Sequence, residues 1–499
     1  MSDFIAPRII RGQTEPASYR DPLVAVYRNN PLIEALPKIY SAEEAYQHLA
    51  YYPEYQASQR DLPNELRLHL IYNANQFLKP NWVHLELEQR VSRLVRAGYL
   101  IRNPLAAGYW REANRRVEAT LPLPHLQATA TGFNLVGISG IGKSTAMEAV
   151  LRLYPQVIIH CQYGQQVFSF IQVVWLKLDC PFDGSIKGLC VNFFQELDDL
   201  LGTHYCQAYA RSGRASTDEL LGHMKRLTAL HGVGCLVMDE IQHLSVAKSA
   251  GISRMLNFFV QLVNTMGMPV ILVGTYKALP LLTSEFRLAR RASGQGDFIW
   301  ERMQPDEVWR MFVAALWRYQ YVRQPTPLTA VLTETLYEVS QGITDFAVKA
   351  YLLAQMRAIA TGLETVTPAL IRSVAADSFQ FAREVLEALR THDWQKLKTV
   401  PDIQLVDLQA HYERCVSEMV HREPPSEPAA EKAPAAPAPP ERPKAKSARP
   451  SVAAPVSSAT DLRSLAAQEQ HRPLTRYEAL TQTAYLKPMA EFFEPGRVL

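Results

Sequence analysis

Gly137-Ile-Ser139-Gly140-Ile141-Gly142-Lys143-Ser144-Thr145 gathers three glycines, a lysine and two adjacent hydroxyls into nine residues. The glycines let the backbone curl until several N–H groups point at one place. Lys143 can reach the β- and γ-phosphates of ATP, and Ser144 can offer its hydroxyl to Mg²⁺. The helix that follows the loop aims its positive end at the anion. A second group, Leu236-Val-Met-Asp239-Glu240, runs apolar residues into an acidic pair. Asp239 there would hold Mg²⁺ through water, and Glu240 would polarise an attacking water. A third, Val270-Ile-Leu-Val-Gly274-Thr275, ends an apolar strand on a hydroxyl that could orient that water or sense the γ-phosphate; the bland alternative is an ordinary strand-ending turn. Arg287-Leu-Ala-Arg290-Arg291 could reach the γ-phosphate of a neighbouring subunit, through either Arg290 or Arg291. It could equally be a solvated helix end or a DNA-phosphate contact. Asp345-Phe-Ala-Val-Lys349 begins a helix from which Lys349 could touch nucleotide, the alternative being a surface lysine.

These residues need elements to position them. Apolar runs at Gly132 to Gly137, Val173 to Asp179, Gly234 to Asp239 and Met268 to Gly274 read as strands separated by helical segments. That alternation implies βαβ units, a parallel sheet and an α/β fold. Residues 1–125 read as mostly helical. Ser41 with Glu43 and Glu44 marks a helix start, and Leu85, Leu87, Val91, Leu94 and Val95 recur with helical period up to Gly98, which would end that helix. Beyond 303 the pattern is helical again, over Pro305 to Tyr319, Leu328 to Ser340, Asp345 to Thr361 and Thr367 to Leu389.

The whole chain has 499 residues, 47% hydrophobic and 20% charged, enough for two or three packed domains. Its net charge of +3 neither demands nor forbids nucleic acid, because clustering decides that. Lys187, Arg211, Arg214, Lys225 and Arg226 are scattered candidates for DNA phosphates, repeated in every copy of an oligomer. The six cysteines lack CxxC spacing and read as buried thiols in a reducing cytoplasm. No run reaches the ~20 apolar residues of a membrane span, and MSDFIAPRII lacks the pattern of a signal peptide. Residues 423–456 hold 10 Pro and 10 Ala in 34 positions, the composition of an extended linker. The tail beyond it carries Leu462, Leu465, Tyr477, Leu480, Tyr485, Phe492 and Phe493, as a tethered docking peptide would, or as a frayed terminus. The expected divisions are a helical partner-binding region 1–125, an ATPase core 126–303, a helical lid 304–422, a linker 423–459 and a tail 460–499.

The order of phosphate loop, acidic strand end, polar strand tip, arginine cluster and helical lid resembles an AAA+ ATPase. The blocks Asn30-Pro-Leu-Ile-Glu-Ala-Leu-Pro37, His84-Leu-Glu-Leu-Glu88, Trp175-Leu-Lys-Leu-Asp-Cys-Pro-Phe-Asp-Gly-Ser185 and Asp239-Glu-Ile-Gln-His-Leu244 narrow this. Over roughly residues 25–385 they resemble the TnsC family, the regulator ATPases of heteromeric cut-and-paste transposons. The resemblance implies ATP-dependent rings or filaments on double-stranded DNA, with roughly six or seven subunits per ring or turn. It also implies a target selector of the TnsD or TniQ type (or a CRISPR complex) met by the N-terminal region, and transposase subunits TnsA and TnsB met by the tail. Carried over by position, Gly142, Lys143, Ser144 and Thr145 bind phosphate and Mg²⁺, Asp239 and Glu240 handle metal and water, and Thr275 is the first sensor. The lid departs from the family pattern: where GxxR is usual, this chain has Gly342-Ile-Thr-Asp345, which leaves Lys349 as the substitute. A helicase-loader-like DNA-associated ATPase is the competing reading.

Overall fold

The computed structural model describes residues 13–119, 132–210, 215–246, 255, 258–259, 262–263, 267–278 and 296–391. Arg287, Arg290 and Arg291, the stretch 392–422, the linker and the tail lie outside the described residues. The strands are β1 (Thr14–Pro16), β2 (Phe133–Gly137), β3 (Val157–Tyr163), β4 (Gln166–Val173), β5 (Trp175–Asp179), β6 (Cys235–Asp239), β7 (Val270–Gly274) and β8 (Phe298–Trp300). Five of them form one sheet in the order β5-β6-β7-β2-β8, with every described pairing parallel. Parallel strands covered on both faces should be apolar at every position, and β2, β6 and β7 are buried at all of theirs. Alternation divides those side chains between two cores. Cys235, Val237, Ile271 and Val273 face one, and Leu236, Met238, Val270 and Leu272 face the other.

The helices are α1 (Pro31–Glu34), α2 (Ala42–Leu49), α3 (Asn64–Asn73), α4 (Trp82–Tyr99), α5 (Tyr109–Ala119), α6 (Lys143–Leu151), α7 (Ile186–Leu201), α8 (Tyr205–Tyr209), α9 (Thr217–Leu230), α10 (Glu307–Leu316), α11 (Ala330–Ser340), α12 (Thr344–Thr361), α13 (Pro368–Ser378) and α14 (Arg383–Arg390). The start read at Ser41 is a capping box: its hydroxyl accepts from Glu44 N–H at 3.2 Å, and Glu44 Oε2 accepts from Ser41 N–H at 3.0 Å. The helix read up to Gly98 ends one residue later, at Tyr99. A Cβ on Gly98 would stand 2.6 Å from the Pro269 ring, so its lack of a side chain serves close packing against the loop before β7. Just beyond, the Tyr99 hydroxyl donates to Gly232 O at 2.8 Å, and the Arg102 guanidinium donates to Val233 O at 2.6 Å and Gly234 O at 3.1 Å. These bonds seat the start of β6, whose far end carries Asp239.

One strand boundary moves. The strand read over Val173 to Asp179 begins at Trp175 as β5 and pairs parallel with β6, whereas Val173 is the last residue of β4, which pairs antiparallel with β3. β1, β3 and β4 form a separate three-stranded sheet. The short β8, bordering β2, gives too weak a pattern to be read from sequence.

The helices before residue 100 share one apolar core with β2, α6 and the lid helices α10 to α13. A buried ion pair reinforces this. Arg67 on α3 donates to Glu364 Oε1 at 2.6 Å and Oε2 at 2.8 Å, and to Tyr321 O at 2.9 Å. The Arg67 side chain is wholly buried. Burial opposes ionisation of Glu364, yet the bonds from Arg67 hold its carboxyl below the ordinary carboxylate range. Replacing Arg67 with Met leaves that carboxylate without its buried partner and should cost about 3–5 kcal/mol in chemical denaturation. Because the folded pKa is depressed, the pair contributes in full above the unfolded carboxyl's pKa. Its contribution is lost as pH falls through the folded value, so the difference between native and variant proteins should shrink in acid.

Candidate active site

The loop after β2 closes on itself before α6 begins. Gly140 and Gly142 have φ of 80° and 101°, the left-handed region that glycine enters without strain, and Gly142 caps α6. Lys143 is buried, and its ammonium donates to Gly137 O and Ile138 O, each at 2.9 Å. The loop thus presents backbone N–H groups around a positive charge at a helix N-terminus, which is an anion cradle. Gly137 also permits a close approach, since a Cβ there would stand 2.6 Å from Trp300 O on β8. The Ile141 side chain belongs to the apolar core, so only its main chain can serve the cradle. Ser139 and Ser144 are half-buried and Thr145 is exposed.

β7 stands beside β2 in the sheet, and β6 stands on the far side of β7. Asp239 is buried, its Oδ1 accepting from Glu240 N–H at 2.9 Å and its Oδ2 pairing with Lys177 at 3.2 Å. Lys177 also pairs with Glu148 on α6 at 3.0 Å. In the sequence Lys177 is only an interruption of an apolar run; a charge at that place in a covered strand was the available signal. Glu240 takes a φ of 56°, unusual for a residue with a side chain. Burial, and then the neighbouring Asp239 carboxylate, push its carboxyl upward in pKa, the direction that suits a base working near neutral pH.

Thr275 follows β7. It is 7% exposed, and its hydroxyl has no hydrogen-bond partner among the described residues. An orphaned buried hydroxyl costs stability unless a partner arrives, and a phosphate oxygen or an attacking water would be one. Replacing Thr275 with Val removes the orphan at equal size. Thermal unfolding should show stability unchanged or raised by about 1 kcal/mol, while ATP turnover should fall roughly 10–100-fold. A purely structural threonine would not give this combination.

The lid reaches the loop through the start of α12. Asp345 N–H donates to Gly140 O at 3.1 Å, and the Thr344 hydroxyl donates to Ile141 O at 3.0 Å. Lys349 is not a surface lysine: it is 6% exposed and paired with Asp345 Oδ2 at 2.8 Å. Burial raises the Asp345 pKa against the opposing pull of Lys349. Gly342, at φ 76°, lets this segment pass Met303, whose carbonyl oxygen would lie 2.1 Å from a Cβ. Sequence reading missed Gln242, whose amide touches both Glu240 and Thr275. Among the basic residues considered for DNA, Arg226 is exposed, Lys187 donates to Ala215 O at 3.2 Å, and Arg211 and Arg214 lie outside the described residues. Lys225 is withdrawn from that set, since it is 5% exposed and burial lowers its pKa. The thiols also divide: Cys180, Cys190 and Cys235 are buried, with burial pushing each up to about 12, whereas Cys161 is exposed.

Residues 128–282 match the family described as AAA domain. The chain carries an AAA-family ATPase domain. Its fold is AAA+, with a parallel sheet and helical regions flanking the core. No curated protein matches the chain. Among solved structures it is similar to the ORC2 protein of Aeropyrum pernix in ADPNP–ADP complexes, at 11% identity and a TM-score of 0.33, covering 64% of this chain and 87% of that one. It is also similar to the ORC1 protein of Aeropyrum pernix in complex with DNA, at 14% identity and a TM-score of 0.36, covering 66% and 87%. A third is the Walker-type ATPase paby2304 of Pyrococcus abyssi, at 14% identity and a TM-score of 0.35, covering 62% and 88%. No helix among the described residues is long and apolar enough to cross a membrane.

Proposed function

We propose that this protein hydrolyses ATP to control its own assembly on double-stranded DNA and acts as a TnsC-like regulator of transposition. The observation that carries the hydrolytic part is the buried, orphaned hydroxyl of Thr275 at the tip of the strand between the phosphate loop's strand and the Asp239-Glu240 strand. In this reading Gly137, Ser139, Gly140, Ile141 and Gly142 shape the cradle, and Lys143 and Thr145 complete phosphate binding. Ser144 would hold Mg²⁺ through its hydroxyl and Asp239 through water, oxygen donors of the kind that ion takes, and the ion would supply charge that neutralises phosphate oxygens. Glu240 accepts the proton of the attacking water, and Thr275 orients that water or contacts the γ-phosphate. Lys349 approaches the nucleotide from the lid, and Arg290 or Arg291 comes from a neighbouring subunit.

The transposition part rests on the sequence blocks around Asn30, His84, Trp175 and Asp239. On that basis the N-terminal helices receive a target selector of the TnsD or TniQ type, and the tail engages TnsA and TnsB. Electron microscopy of the protein with duplex DNA and a non-hydrolysable ATP analogue tests the assembly directly. Rings or filaments on DNA are expected, and the absence of any DNA-bound oligomer sinks the proposal.

A further inference from the structure

Glu240 does not stand alone at the end of β6. The turn that follows brings Gln242 back beside it, so that Gln242 Nε2 donates to Glu240 Oε2. The other end of the same amide reaches β7, where Gln242 Oε1 accepts from Thr275 N–H at 3.1 Å. Gln242 is 6% exposed, so its contacts are held by packing. The amide's orientation is not arbitrary. A main-chain N–H can only donate, which forces Oε1 toward Thr275 and leaves the NH₂ group for the carboxylate. Gly274 makes room for this: a Cβ there would come within 3.0 Å of Gln242 Oε1 and 2.6 Å of the Ile241 side chain. The left-handed backbone at Glu240, φ 56°, completes the turn.

We propose that Gln242 is a positioning residue that ties the Glu240 carboxylate to the Thr275 main chain, so that the sensor strand sets where the base sits. The inference rests on the reading of this site as one that hydrolyses ATP. A hydrophobic side chain could not do this. A carboxamide of this length donates to the carboxylate from one end and accepts from the neighbouring strand at the other. Whatever moves Thr275 when its hydroxyl gains a partner is thereby passed to the base. The phosphate cradle is built from the loop after β2, a different element, so Gln242 acts on turnover and not on nucleotide binding.

The test is a split between turnover and binding in the full-length protein. Gln242→Met keeps the length and loses both bonds. Gln242→Glu keeps the shape and the acceptor toward Thr275 N–H, but sets a second carboxylate against Glu240. Both should lower kcat about 10–100-fold, the scale of a displaced catalytic group. KM for ATP and the affinity for a non-hydrolysable analogue should stay within about twofold, as expected when only a turnover-specific interaction is lost. Should Gln242→Met fail to fold, the near-isosteric Gln242→Glu carries the test. The double variant Glu240→Gln/Gln242→Met should turn over no more slowly than Glu240→Gln alone, because the second residue acts through the first. Turnover abolished by Glu240→Gln but unchanged by both Gln242 variants overturns the role of Gln242. So does a Gln242→Met loss that multiplies in full onto that of Glu240→Gln. Turnover unaffected by any of these substitutions overturns the site reading along with it.

Discussion

Replacing Glu240 with Gln should lower ATP turnover by about 10²–10⁴-fold and leave nucleotide binding intact. The substitution preserves size and keeps an oxygen that can accept from Gln242 Nε2, so the turn after β6 should hold its shape. What disappears is the capacity to take a proton from water. The cradle is built from a different element, the loop between β2 and α6, and its lysine rests on Gly137 O and Ile138 O rather than on the acidic pair. Binding and turnover should therefore separate. Measured by phosphate release, the variant should be nearly silent; measured by electron microscopy with ATP and duplex DNA, its assemblies should persist longer than those of the native protein. Normal phosphate release from this variant would falsify the assignment of the base.

Lys143→Ala should fail at the earlier step. Lys143 is the buried cation of the cradle, and its removal leaves phosphate facing backbone N–H groups alone. The loss of a buried, hydrogen-bonded charge partner costs about 2–5 kcal/mol, which at 1.4 kcal/mol per tenfold corresponds to roughly 30-fold weaker binding or more. Titration with a fluorescent ATP analogue measures this directly. Assembly on DNA should disappear with it, whereas in the Glu240→Gln protein assembly should survive. Retention of analogue affinity within about twofold would remove Lys143 from the phosphate site. Lys143→Arg should not rescue binding, because a planar fork cannot replace a compact ammonium between two carbonyls.

The residues of the proposed site are legible in the sequence alone. Glycine spacing, a lysine and paired hydroxyls define a phosphate loop because few residue types permit the backbone to present its N–H groups that way. Asp239-Glu240 was legible because an acidic pair ending an apolar strand is costly unless it has work to do. The covered strands β2, β6 and β7 were legible because two-sided burial demands largely apolar runs, broken here only by Asn134 and Asp239. Other features were hidden by the same logic. The strand read from Val173 to Asp179 runs β5 back onto the last residue of β4, because apolar character reports burial and not which sheet does the burying. Gly98 stands one residue from the end of α4, where glycine is expected, but its close approach to the Pro269 ring across the core leaves no trace in the sequence.

By itself, the sequence determined which residues could carry the proposed chemistry: Gly137 to Thr145 as a phosphate cradle, Asp239 and Glu240 as a metal-and-water pair, and Thr275 as a hydroxyl beside them. Those roles follow from local spacing and from the limited repertoire of side chains that can perform them. Only the tertiary structure decided how they are joined. It buried Lys349 against Asp345, set Lys177 on Asp239, clamped α3 to the lid through Arg67 and Glu364, and laid one glutamine amide between Glu240 and Thr275. Each of these contacts except the Lys349 pair and the short reach from Gln242 to Glu240 bridges residues far apart in the chain. Pairings of that kind are set by strand order and packing, and one-dimensional spacing carries no record of them.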